Sequence, residues 1–282
     1  NIVYDVGARD EHPEHTGFAH LFEHLMFGGS AHIPDYDTPL QLAGGENNAW
    51  TNNDITNYYL TVPKPNVETA FWLESDRMLE LAFSEQSLEV QRGVVMEEFK
   101  QRCLNQPYGD VGHLFRPLAF RVHPYRWPTI GKELSHIEQA TLDEVKSFFY
   151  RFYAPNNAVL AVTGNISWDE TVKLTEKWFA PIPRRDVPVR QLPQEPEQTQ
   201  ERRLTVERNV PLDALFMGYH MCSREGADYY AFDILSDILS NGRSSRLNRR
   251  LVQEQNIFSG IDAYISGTRD AGLLQISGKP VA

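Results

Sequence analysis

Five prolines, Pro181, Pro183, Pro188, Pro193 and Pro196, interrupt a stretch rich in Arg, Gln and Glu that has no apolar periodicity. Proline fixes φ and removes a backbone donor, so neither a helix nor an internal strand runs through such a stretch. The chain must build its cores on either side of it. Its 282 residues also exceed what one compact core usually holds. The expected division is a first domain over 1–183, an extended linker over 184–200 and the first part of a second domain over 201–282. The abrupt strand-like start at Asn1 and the stop at Ala282 suggest a portion of a longer protein.

Within the first domain, strands are expected over 1–6, 47–53, 56–62 and 157–163, the third from alternating Tyr58, Leu60 and Val62. Helices are expected over 16–27, 67–83, 85–106, 142–152 and 168–179. Ser84 can cap the third, which must end near Pro107. Thr141-x-x-Glu144 and Ser167-x-x-Glu170 are capping-box signatures for the last two. Past the linker, strands are expected near 202–208, 213–219, 257–265 and 272–278, with helices near 226–240 and 245–254 between them. This mixture lacks strict βαβ alternation. It predicts an α+β fold, a mostly antiparallel sheet with helices packed on one face.

A formal net charge of −11 argues against nucleic acid as a partner, because phosphate binding needs a basic footprint. No apolar run approaches the roughly 20 residues that span a bilayer, so no transmembrane segment is expected in this chain. Cys103 and Cys222 fit no metal spacing and read as buried thiols, which leaves the compartment undecided.

The chemistry concentrates in His20-Leu21-Phe22-Glu23-His24. On a helix, His20 and His24 are one turn apart, and Glu23 lies about 100° from His24 and about 60° from His20. Two imidazoles at this spacing can bind one Zn²⁺, with Glu23 close enough to act on a water beside it. Phe18, Leu21, Phe22, Leu25 and Met26 form the apolar remainder that buries the helix. A structural zinc site would be richer in cysteine. The forward His-Glu-x-x-His order of ordinary zincins is excluded.

Catalytic zinc normally keeps three protein ligands and an open position. Helix 85–106 offers Glu89, Glu97 and Glu98. Adjacent Glu97 and Glu98 point about 100° apart, so at most one faces the metal, and spacing leaves the choice open. Histidines 12, 15, 32, 113, 123, 136 and 220 are further candidates, each with an ordinary solvent-facing or capping role as the simpler reading.

These residues resemble the pitrilysin/insulinase peptidases, or inverted zincins, which include the mitochondrial processing peptidase. Beyond His20-x-x-Glu23-His24, the resemblance takes in Gly44-Gly45-x-x-Asn48-Ala49-x-Thr51-x-x-Asp54-x-Thr56-x-Tyr58 and the segment from Glu89 to Glu98. It continues through His123-Pro124-Tyr125 with Gly131, Tyr153-Ala154-Pro155-Asn156-Asn157-Ala158 and Ser244-Ser245-Arg246-Leu247. It covers essentially the whole chain, in order.

The resemblance implies two related domains of the fold shared by such peptidases and LuxS-type metalloenzymes, the second truncated here. It also implies that Glu98 is the third ligand. Gln91 stands where many relatives support the site with a glutamate, and it supplies hydrogen bonds but no charge. Ala49, Trp50, Thr51, Asn52 and Asn53 are implied to form an edge to which an extended peptide adds. The arginine and tyrosine that steady the reacting carbonyl in relatives fall beyond Ala282, and Tyr264 and Arg269 are not substitutes.

The implied activity is that of a zinc-dependent endopeptidase or oligopeptidase with Glu23 as general base, acting on peptides. Relatives of this length close as two halves, so a homodimer, or a heterodimer with a degenerate subunit, is implied. For a bacterial protein, the periplasm or another exported compartment is favoured over the cytoplasm. The alternative is a non-catalytic, chamber-forming subunit of a two-subunit peptidase. Such subunits typically lose the motif's His and Glu residues, which this chain keeps.

Overall fold

The computed structural model describes residues 1–281, which form two units. One takes residues 1–102 and 127–192, the other residues 103–126 and those from 193 onward.

In the first unit, β1 (Ile2–Tyr4), β2 (Glu46–Thr51), β3 (Thr56–Thr61) and β4 (Ala158–Leu160) pair in the order β2-β3-β1-β4. Every pairing is antiparallel, with Ile2 opposite both Tyr58 and Leu160. β2 is therefore an edge strand.

Helices α1 (Phe18–Leu25), α2 (Asp37–Leu42), α3 (Val67–Leu79) and α4 (Glu85–Phe99) follow in chain order. After α5 (Val111–Ala119), which lies in the other unit, the chain returns for α6 (Leu134–Glu138), α7 (Leu142–Phe152) and α8 (Trp168–Phe179). Ile2, Tyr4 and Tyr58 of the sheet meet Phe22, Leu88, Val95 and Phe149 of the helices in one buried core. Phe22 sits at its centre, with its ring 5.0 Å from Phe148 and 5.2 Å from Tyr153.

Helices α7 and α8 have the ends their caps predict. Thr141 and Glu144 complete a reciprocal capping box, and Ser167 accepts the N–H of Glu170. Two expected helices are shorter in α form. α1 covers only the middle of 16–27, and α4 passes after Phe99 into a π-helical turn at Lys100–Leu104.

In the second unit, β5 (Leu215–Met221), β6 (Phe258–Ser266) and β7 (Gly272–Pro280) form an antiparallel sheet in the order β5-β7-β6. Helix α9 (Tyr229–Ser240) packs on β6, and α5 packs on β5. A Cβ at Gly218 would stand 2.5 Å from Phe115 Cζ, so glycine lets the α5 ring lie directly on β5. Phe120, Tyr125 and Leu273 are buried together there.

These contacts explain why residues 103–126 group with the C-terminal residues rather than with the domain expected over 1–183. The expected helix 245–254 is a π-helical segment, Asn248–Glu254. The expected strand 202–208 pairs with nothing among the described residues. There Arg202 reaches the carbonyls of Leu118 and Ala119, while Leu204 and Val206 stay exposed.

The proline-rich stretch has no regular structure, yet its first part is tied down. Arg185 donates to the carbonyls of Tyr153, Met78 and Leu79. Arg190 donates to Asp5 and Asp10. No described helix is long and apolar enough to cross a membrane.

Candidate metal centre

α1 buries Phe18, Leu21, Phe22 and Leu25, the i, i+3, i+4, i+7 stripe of an amphipathic helix. The same packing turns His20 and His24 toward α4, with their rings 4.9 Å apart and nearly perpendicular. The helix starts at Gly17, whose φ of +87° only glycine adopts readily. A Cβ there would also meet Ile137 Cδ1 at 2.6 Å.

α4 buries Leu88, Val95 and Phe99. Glu98 lies three residues beyond Val95, on the edge of that stripe, and only 20% of its side chain is exposed. Glu97 points about 180° from Leu88 and stays 56% exposed beside Lys100. Glu89 pairs with Arg92 and is 73% exposed. The helical wheel thus separates three glutamates that the spacing argument had left as alternatives.

Nε2 of His20 lies 3.4 Å, and Nε2 of His24 3.3 Å, from Glu98 Oε2. Among the described residues these three form the one group of metal-binding side chains whose donor atoms lie within 4.8 Å of one another. A tetrahedral Zn²⁺ with bonds of about 2.05 Å has ligand–ligand edges of about 3.3 Å. Both nitrogen–oxygen separations match the edges of such an ion.

The electrostatics agree with this donor set. A hydrogen bond from His20, and the charges of His20, Arg102 and His24, hold the Glu98 carboxyl down at about 2 against the effect of burial. Burial, and then neighbouring His20, push the His24 imidazole below its usual range, against the pull of Glu98 and Glu23. Glu23 is half-buried on the same arc of α1.

Two contributors went unread in the sequence, although Arg102 carries the i, i+4 signal of a charge partner for Glu98. Arg102, in the π-helical turn, holds Glu98 Oε1 at 2.8 Å. Glu11 accepts N–H bonds from Gly17 and Ala19 at the start of α1.

Gln91 is half-buried on α4, two turns before Glu98. Of the expected peptide-binding residues, Ala49, Trp50 and Thr51 lie in edge strand β2, and the Ala49 N–H is taken by Asn48 Oδ1. Asn52 and Asn53 follow the strand, and their carbonyls already accept the N–H groups of Ala8 and Arg9. The remaining histidines stand outside the centre. His32 pairs with Asp76, His15 with Glu144, and His136 binds Thr16.

Residues 1–113 match the family described as Insulinase (Peptidase family M16), and residues 139–281 match the Peptidase M16 inactive domain. His20, Glu23, His24 and Glu98 all fall within the first match. The chain is 31% identical to a Helicobacter pylori protein named zinc protease PqqE, covering 92% of this chain and 59% of that protein. It is 26% identical to a Bacillus subtilis protein named uncharacterized zinc protease YmxG, covering 96% of this chain and 66% of that one. It thus spans roughly three fifths to two thirds of the length of these relatives.

The crystal structure of a protease from Helicobacter pylori superposes with a TM-score of 0.90 at 29% identity, covering 99% of this chain and 69% of that one. A peptidase M16 inactive domain from Pseudomonas fluorescens, at 18% identity, shares the fold with a TM-score of 0.86. The chain belongs to the pitrilysin/insulinase family of peptidases, family M16.

Proposed function

We propose that this chain is the zinc-holding part of a metal-dependent endopeptidase or oligopeptidase. The observation that carries the reading is the convergence of His20 Nε2, His24 Nε2 and Glu98 Oε2 at zinc-like separations. Zn²⁺ held by these three residues supplies a Lewis acid that acidifies water and polarises a peptide carbonyl. Glu23 is the general base: its carboxylate takes the proton of the attacking water and returns it to the leaving amine. An extended peptide pairs with the outer edge of β2 along Ala49, Trp50 and Thr51, displacing the Asn48 side chain from the Ala49 N–H. This pairing leaves the peptide's side chains largely unread. Specificity is accordingly broad.

The second reading is a chamber-forming subunit without activity of its own. The inactive-domain match over residues 139–281 favours it. The intact His20-x-x-Glu23-His24 and Glu98 favour the first. In either case the working assembly pairs two such chains, as a homodimer or with a degenerate partner.

Cleavage of an internally quenched peptide by the full-length protein, beside Glu23→Gln, separates the two readings. Glu23→Gln keeps its zinc and loses at least about 10²-fold in kcat. Equal activity in both proteins would remove Glu23 from the mechanism, and a full-length protein that never loads zinc would leave the chamber subunit.

A further inference from the structure

The first N–H groups of a helix have no partner within it and need a cap. At α1 the usual cap is missing, because N-cap Gly17 has no side chain. Glu11, six residues earlier, takes its place: Oε2 accepts the N–H of Gly17 at 3.0 Å. Oε1 accepts the N–H of Ala19, the residue before His20, at 2.8 Å. The Trp127 indole donates both to Glu11 Oε2 at 3.1 Å and to the Ala8 carbonyl at 3.0 Å. Glu11 is 7% exposed and Trp127 is 2% exposed.

A serine or aspartate at position 17 is shut out, because the position is buried at φ +87° and a Cβ there would meet Ile137 Cδ1 at 2.6 Å. The cap must therefore come from elsewhere in the chain, and a buried carboxyl serves because both its oxygens are bonded. Glu11 ties the first turn of α1 to a buried indole and to the backbone at Ala8.

The metal centre needs this, because α1 has only eight residues and carries two of the three donors. Metal-binding histidines are usually aimed by a hydrogen bond to the second ring nitrogen. His20 Nδ1 is buried and has no such partner among the described residues. The aim of that imidazole rests on where the helix backbone stands, and a site of this kind tolerates only about half an ångström of error.

We propose that Glu11 is a positioning residue of the His20–His24–Glu98 centre, fixing the height and rotation of the first turn of α1 and so the approach of both imidazoles to Glu98. This role rests on the reading of that centre as a zinc site. In Glu11→Gln the amide presents an NH₂ to N–H groups that need an acceptor. Phe18, Leu21, Phe22 and Leu25 still hold the helix on the core, so the variant folds with its first turn loosened.

The test uses the full-length protein, Glu11→Gln and Trp127→Phe. Zn²⁺ affinity is read by competition with a chromophoric chelator, the ligand field by the visible spectrum of the Co²⁺ form, and folding by far-ultraviolet circular dichroism. Glu11→Gln is expected to bind Zn²⁺ about tenfold more weakly and to shift the Co²⁺ bands at unchanged helix content. Trp127→Phe, which removes one donor to Glu11, moves both readings the same way by a smaller factor.

Zn²⁺ affinity within about twofold of the parent, with identical Co²⁺ bands, in folded Glu11→Gln overturns the proposal. If Glu11→Gln does not fold, Trp127→Phe decides: parent-like affinity and bands overturn the proposal, and the smaller shifts sustain it. A parent protein that takes up no Zn²⁺ overturns the zinc reading, and this role with it, which separates the two failures.

Discussion

Glu98 divides its two oxygens, with Oε1 held by Arg102 Nη2 at 2.8 Å and Oε2 facing His20 and His24 at 3.4 and 3.3 Å. The guanidinium thereby sets which oxygen faces the imidazoles. Its effect is limited, because 66% of the Arg102 side chain is exposed and solvent screens the pair. Removing a buried partner of a metal ligand costs about 10- to 100-fold in affinity. Arg102→Ala is expected to cost about two- to fivefold, measured by chelator competition. No change at all would show that Glu98 holds its orientation unaided.

The two adjacent glutamates should behave very differently. Glu98→Gln removes the anionic donor and is expected to abolish stoichiometric zinc in the purified protein. Glu97→Gln, on the solvent side of α4, should leave one zinc per chain. Elemental analysis of both variants checks this, and zinc loss from Glu97→Gln would reverse the assignment.

Arg190 clamps the start of the proline-rich stretch onto Asp5 and Asp10, and only 2% of the Asp10 side chain is exposed. Arg190→Ala would leave that carboxylate with the Gly7 N–H and without its ion-pair partner. The expected cost is about 2–3 kcal/mol, toward the lower end for a broken buried pair because Arg190 is itself 24% exposed. Residues 181–192 should also become cleavable by subtilisin under native conditions. Unchanged protection would mean that Arg185 suffices as the anchor.

Much of the fold was readable because its signals are local. Thr141 with Glu144, and Ser167 with Glu170, set the starts of α7 and α8 within a few residues of sequence. The pairing of β2 with β3 follows from two nearby strand patterns. His20, Glu23 and His24 were legible for the same reason.

Glu98 was legible in part. The stripe of Leu88, Val95 and Phe99 already put Glu97 on the far side of α4, a distinction that the spacing argument passed over. Glu11 gave no warning, since it acts through a contact that exists only after packing, whereas Arg102 stands at i+4 from Glu98 and was readable as its partner. The strand expected over 202–208 failed because alternation of apolar residues cannot report whether a partner strand is there to bond.

The grouping of residues 103–126 with the C-terminal half means that the backbone passes between the two units three times. No single cut yields either unit whole. A chain cut after Leu192 would still contain Phe115, Phe120 and Tyr125 while losing Gly218 and Leu273, against which they pack. Exchange of these units by recombination thus requires both to move together, so the unit that carries His20, His24 and Glu98 travels with at least this part of its neighbour.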